Sequence, residues 1–154
     1  MAGIFPPPPP PEIPEQAAAY FSAIGDADTE PIDGTLLASI LDLTLAAGNY
    51  YVEIFLPYTA GSSSDAKVSV VASAGTLILQ TQGVNPPAST ETYTSSDEVT
   101  VNASGNANLL GIWFKGTYLA PAGGTLTLKA AENADGATDL IARAGHYILA
   151  FPLG

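Results

Sequence analysis

The sequence predicts an all-β chain: a single β-sandwich domain, a jelly roll by preference, carried behind an extended proline-rich amino-terminal arm and one short helix. Three observations predict it. From Thr35 onward, short runs of aliphatic, aromatic and Thr residues alternate with clusters of Gly, Ser, Asn, Asp and Pro, the rhythm of strands and turns. Helical periodicity is confined to one stretch before them. Ahead of that stretch stands an unbroken run of prolines.

The arm comprises residues 1–12. Each proline locks φ near the polyproline II value and offers no backbone donor, so Pro6, Pro7, Pro8, Pro9, Pro10 and Pro11 make a rod of about 3.1 Å per residue, roughly 19 Å in all. The rod carries the apolar tip Ile4 and Phe5 away from the domain. A ligand for an SH3 or WW groove would want flanking specificity residues, basic ones for SH3, but Glu12 and Glu15 follow instead. A spacer with an apolar contact point fits better, and Ile4 to Pro11 are the residues expected to reach a partner.

Residues 13–34 are expected to form the short helix and an acidic linker. Pro14 suits a first helical position, Glu15 favours the first turn, three alanines follow and Gly25 supplies a stop. Ala17, Tyr20, Phe21 and Ile24 share one helical face, so the helix should dock on its own domain or on a neighbour. Asp26, Asp28, Glu30 and Asp33 then lead into the domain.

Residues 35–154 form the sandwich. Strands are expected near Leu36 to Leu43, Tyr50 to Pro57, Ala66 to Ser73, Thr76 to Gln82, Glu98 to Ala103, Leu109 to Leu119, Gly124 to Ala131, Thr138 to Ala142 and Gly145 to Phe151. Turn chemistry such as Ala47-Gly48-Asn49, Asn85-Pro86-Pro87 and Pro121-Ala122-Gly123-Gly124 separates them. In Thr125 to Lys129 leucines alternate with polar residues, so one face is covered. Leu109 to Phe114 and Tyr147 to Phe151 are apolar on both faces, yet a sandwich strand has only one core face. The second face needs the docked helix or a neighbouring subunit, which nominates Tyr20, Phe21, Trp113, Phe114, Tyr147 and Phe151 for a subunit interface.

Charge is sparse: 15 Asp and Glu against 4 Lys and Arg, a net of −11, with 12% of residues charged. Phosphate binding needs Lys and Arg, so nucleic acid and anionic membranes are poor partners, whereas a basic protein surface is a possible one. Surface so poor in charge suits burial against other copies or a partner. Cysteine is absent, which removes disulfides and thiolate sites. No window approaches the length of a membrane span, and the prolines interrupt any signal-like start, so a soluble protein made in a cytoplasm is expected.

Chemistry finds little to use. His146 is the sole histidine, which excludes multi-histidine metal sites. A triad with Asp135 or Asp139 and one of Ser62, Ser63 or Ser64 lacks the Gly-x-Ser-x-Gly elbow, so His146 is expected to be a hydrogen-bonded surface or interface residue. Asp26-Ala27-Asp28-Thr29-Glu30 has alternate carboxylates, but Pro31 stands where a calcium loop needs Gly. Asp97, Glu98, Glu132 and Asp135 could supply paired carboxylates, with Trp113, Tyr118 and Tyr93 as a sugar platform, but spacing places no two of them at the required separation. The expectation is no catalytic residue, no metal and no cofactor.

Three segments carry a resemblance. Residues 45–56, Leu-Ala-Ala-Gly-Asn-Tyr-Tyr-Val-Glu-Ile-Phe-Leu, supply an L-x-A-G-x-Y turn into a strand, residues 116–133 contain Gly-Thr-Leu-Thr-Leu before an Ala-rich loop, and Ala144 to Phe151 close with G-x-Y-I-L. They resemble structural proteins of tailed bacteriophages, in particular capsid decoration or cement proteins with a trimeric jelly roll distantly like the tumour necrosis factor and C1q modules. The resemblance implies a non-enzymatic homotrimer on the outer capsid surface of the virion, made in the host cytoplasm, that stabilises the head by binding the major capsid protein. Arms are expected to anchor it, with Asp26, Asp28, Glu30 and Asp33 facing basic coat surface. The alternative is a head-fibre or tail receptor-binding module that recognises host polysaccharide through Trp113 and Tyr118.

Overall fold

A computed structural model describes residues 20–32, 34–60, 66–83, 92–94, 98–101, 109–133 and 140–154. These residues form an all-β domain of two antiparallel sheets. The strands are β1 (Phe21–Gly25), β2 (Ala38–Leu45), β3 (Gly48–Thr59), β4 (Ala66–Ala72), β5 (Thr76–Gly83), β6 (Thr92–Thr94), β7 (Glu98–Val101), β8 (Leu110–Ala120), β9 (Gly124–Glu132), β10 (Ile141–Ala142) and β11 (His146–Leu153). The first sheet has the order β1-β11-β3-β8-β5-β6, with β10 beside the end of β3. The second has the order β2-β9-β4-β7.

The pairing is nested. β1 pairs with β11, β2 with β9, β3 with β8 and β4 with β7, so the chain folds as a long hairpin whose outermost strands are first and last. Successive strands β1, β2, β3 and β4 alternate between the sheets, and the β5–β6 hairpin is added beside β8. One end of the sandwich gathers the β2–β3, β4–β5 and β8–β9 turns with the start of β1 and the end of β11. At this turn end Phe21 lies opposite Ala150 and Leu153 opposite Asn49. The opposite, loop end holds the finish of β3, β5, β7 and β9.

Two-residue alternation builds the core. Val52, Ile54 and Leu56 of β3, with Ile112, Phe114 and Tyr118 of β8, point inward from the first sheet and are buried. Val68, Val70, Leu126 and Leu128 meet them from the second. In β2 the register against β9 slips between Ser39 and Leu41, a bulge that lets Ile40 and Leu41 both pack on the core.

The expected helix is corrected in part. Phe21–Gly25, read as its last turn and a half, is the edge strand β1, in register from Phe21 opposite Ala150 to Gly25 opposite His146. Backbone pairing along β11 outweighs the local helix signals, because propensity is a weak prior beside a tertiary partner. Residues 13–19 lie outside the described residues. The other expected strands are found with end shifts of a few residues, β2 and β11 reaching further toward the turn end than the periodicity suggested.

Phe114 is 1% exposed at the centre of β8. Phe114→Ala is expected to destabilise the domain by about 3–5 kcal/mol, read as a lower urea midpoint with an unchanged slope.

Candidate functional site: an aromatic sheet face

The outer face of the first sheet is the one large apolar surface that the described domain leaves uncovered. Its rows follow from the pairing. Tyr147, Phe55 and Trp113 lie side by side across β11, β3 and β8; next come Leu149, Glu53 and Lys115, then Phe151, Tyr51 and Thr117, then Leu153, Asn49 and Leu119. Cross-strand neighbours on one face stand close enough for their rings to meet. Phe55 and Trp113 stack with centroids 4.4 Å apart, and Tyr147 packs on Phe55 at 5.7 Å. Toward the turn end Phe151 contacts Tyr51 at 6.2 Å and Tyr20 at 6.0 Å. Tyr20 is 58% exposed, Leu153 46% and Leu119 42%.

Polar groups are few on this face and are paired. The Tyr147 hydroxyl donates to Glu53 Oε1 at 2.8 Å, and Lys115 Nζ lies 3.3 Å from Glu53 Oε2. Burial, followed by the hydrogen bond and negative charge of Glu53, pushes the Tyr147 phenol up to about 12, the Trp113 side chain acting in the opposite sense. An exposed ion pair such as Lys115 with Glu53 adds little stability while it stays in water. It does match two charges that would otherwise be left unpaired if the face were covered.

Four of the interface residues nominated from sequence come together here: Trp113, Tyr147, Phe151 and Tyr20. Phe21 sits on the rim, edge-on to core residue Tyr50 at 6.0 Å and 82°. Phe114 is a correction, since it points into the sandwich and is unavailable to a second subunit. Sequence reasoning missed Tyr51, Phe55 and Leu149, although Tyr50 to Leu56 is apolar at both parities except for Glu53. The arm residues Ile4, Phe5 and Pro6 to Pro11 lie outside the described residues, as do Asp33, Ser62, Ser63, Ser64, Asp97, Asp135 and Asp139.

The chemical candidates disperse. His146 is 3% exposed, with Nδ1 on the Arg143 carbonyl at 2.9 Å and its ring lying where a side chain on Gly25 would be. It is therefore hydrogen-bonded, as expected, but buried beneath β1 and not at the surface of the domain. Glu132 is buried and faces inward, whereas Glu98 is exposed on the outside of the second sheet, so these carboxylates do not converge. Tyr118 is fully buried and cannot serve as a sugar platform. Among the described residues no three His, Asp or Glu side chains gather as a metal site.

Asp28 has a task within the domain. Its carboxylate accepts from Arg143 Nη1 at 2.7 Å and from the Ala144 amide at 2.8 Å, while Arg143 Nε donates to Thr59 Oγ1 at 3.0 Å. The Thr29 amide donates to the Ala142 carbonyl at 2.9 Å, and the Gly145 amide to the Gly25 carbonyl at 2.8 Å. The acidic stretch is thus laced across the entry to β11 at the loop end, away from the point where the arm enters. The Ala144 hydrogen bond and then Arg143 hold the Asp28 carboxyl below its usual value of 3.8.

No protein-family model matches this chain, and no curated protein matches it in sequence.

Two outcomes test these placements. A carboxyl with a lowered folded pKa contributes stability above its unfolded value and loses it as pH falls through the folded one. Asp28→Asn should therefore lower the melting temperature at neutral pH, and the difference should close as thermal melts are taken below about pH 4. Tyr147 runs the other way: its contribution is complete below pH 10 and is lost as pH rises toward about 12. A spectrophotometric titration should show a tyrosine ionising near pH 12 that is lost in Tyr147→Phe.

Proposed function

We propose that this chain is a non-catalytic structural protein: a jelly-roll homotrimer that decorates the outer surface of a phage capsid, binds the major capsid protein and holds it through its amino-terminal arms. The observation that carries the reading is the uncovered aromatic face on the central strands of the first sheet. Rows of Tyr147, Phe55 and Trp113, and of Phe151 and Tyr51, are what a second copy would bury. The nested pairing of eight strands, first with last, supports the jelly roll, with the β5–β6 hairpin as an addition. The trimeric state and the capsid come from the resemblance of the Leu-Ala-Ala-Gly-Asn-Tyr, Gly-Thr-Leu-Thr-Leu and Gly-His-Tyr-Ile-Leu segments to decoration proteins.

Three arms held in one trimer act at high effective concentration, so weak individual contacts of Ile4 and Phe5 sum to firm attachment. Asp28 is engaged within the domain by Arg143 and the Ala144 amide.

A second reading has its own observation. The stacked Phe55 and Trp113 rings beside Glu53 and Lys115 offer an aromatic platform with polar neighbours, the pattern of a glycan site on a receptor-binding module.

Sedimentation analysis is expected to give a trimer for the full chain and a monomer for Trp113→Glu. Removal of residues 1–12 should leave the trimer intact and abolish occupancy on parent capsids, seen by electron microscopy. Full occupancy without the arm would sink the anchoring role, and a monomeric chain that binds a glycan array through Trp113 would favour the second reading.

A further inference from the structure

The two ends of the sandwich differ in charge. The segments that build the turn end, residues 20–25, 43–52, 70–79, 116–128 and 147–153, contain no Asp, Glu, Lys or Arg. Even at this chain's low charged fraction of 12%, stretches of that combined length would hold several. Asp26, Asp28, Glu30, Glu132 and Arg143 all lie toward the loop end. The three turns at the charge-free end are exposed and built from small residues, with Ala47, Ala74 and Ala122 at their tips.

That end is also held rigid from inside. Tyr50 donates its hydroxyl to the Ala46 carbonyl at 3.0 Å and Tyr118 donates to Ala74 at 2.8 Å, so two stacked core tyrosines each pin a different turn. The Ser73 amide donates to the Thr125 carbonyl at 2.9 Å, and the Thr125 amide to Ser73 Oγ at 2.8 Å. Gly75, at φ 80, leaves no room for a Cβ beside the Leu119 carbonyl. At Gly123, also at φ 80, a Cβ would stand 2.8 Å from the Leu45 carbonyl. The turns therefore pack on one another as a preorganised floor, which lowers the ordering cost of docking.

We propose that the turn end is the surface seated on the coat protein, and that it meets an uncharged patch there. The inference rests on the decoration reading and adds the orientation and the chemistry of the contact. Tyr20, the residue to which the 19 preceding residues are attached, lies at this end. Asp28, one of the acidic residues expected to meet a basic coat surface, is bonded to Arg143 and the Ala144 amide at the other end. The aromatic face runs down to Phe151 and Leu153 at the same end, so copies joined along that face set their floors side by side. A floor without charge is covered without stripping water from an ion.

The test places charges on the floor. Ala47→Glu, Ala74→Glu and Ala122→Glu are combined in one variant, and the three corresponding Lys substitutions in another. Each is measured beside the unaltered chain for binding to parent capsids stripped of this protein, with sedimentation and thermal melting as checks on trimer and fold. Both charged variants are expected to stay trimeric and to lose about tenfold or more in affinity. Leu109→Glu, at the exposed residue just before β8 on the loop end, should bind like the unaltered chain. Trimeric charged variants that bind normally would overturn the seating while leaving the decoration reading in place. An unaltered chain that does not bind capsids would overturn the decoration reading itself, and the seating with it. Where a combined variant does not fold, the single Ala122→Glu and Ala122→Lys chains decide by the same criterion.

Discussion

The register of β3 against β8 is the constraint on which the rest of the domain depends. It runs from Gly48 opposite Ala120 to Tyr58 opposite Leu110 without a slip. Because side chains alternate along a strand, this one alignment sends Val52, Ile54, Ile112 and Phe114 inward and Phe55, Trp113, Glu53 and Lys115 outward. A shift by a single residue would exchange the two sets and put Glu53 in the core. Glycine protects the alignment on its other flank: a Cβ on Gly116 would collide with the Ile78 carbonyl, so β5 can close on β8 only at that position. Both the sandwich interior and the aromatic face descend from it.

Much of this was legible in the residues. Two-residue alternation with turn chemistry located the strands of both sheets other than β1 and the short β6, because those signals are local. β1 was misread for the same reason: Pro14, the alanines and Gly25 speak for a helix locally, while the partner that makes Phe21–Gly25 a strand is β11, far along the chain. Phe114 reads like Trp113 in the sequence because a doubly apolar segment does not say which parity faces the core, and only the pairing with Ile54 decides it. Glu53, Lys115 and Tyr147 are distant in sequence, so nothing local could show that one carboxylate serves two partners. His146 followed the same logic, since the room for its ring is made by Gly25, a glycine that reads as a stop signal in the sequence alone.

The distribution of charge is as informative as its amount. Ionic contacts are spent within the domain, Asp28 with Arg143, Lys67 with Glu98 and Glu53 with Lys115. One holds the entry to β11, one crosses the second sheet and one lies within the aromatic face. Uncharged surface is thereby concentrated on that face and the turn end. In a chain with a net charge of −11, mutual repulsion between free copies helps keep such surfaces apart until a partner with enough complementary area is met.

The pairing of first strand with last has a kinetic consequence. β1 is made before the other strands, yet among the described residues it pairs with β11 alone, the last of them in sequence. Nested long-range pairing is slow to close, because each outer pair pays its loop entropy before its contacts form. The inner pair β4 with β7 closes over only the β5–β6 hairpin, whereas β1 with β11 closes over every other strand of the domain. The strand that attaches the arm is thus the last piece of this sheet able to form, and a finished β1 is a sign that every other described strand of the domain has already been made.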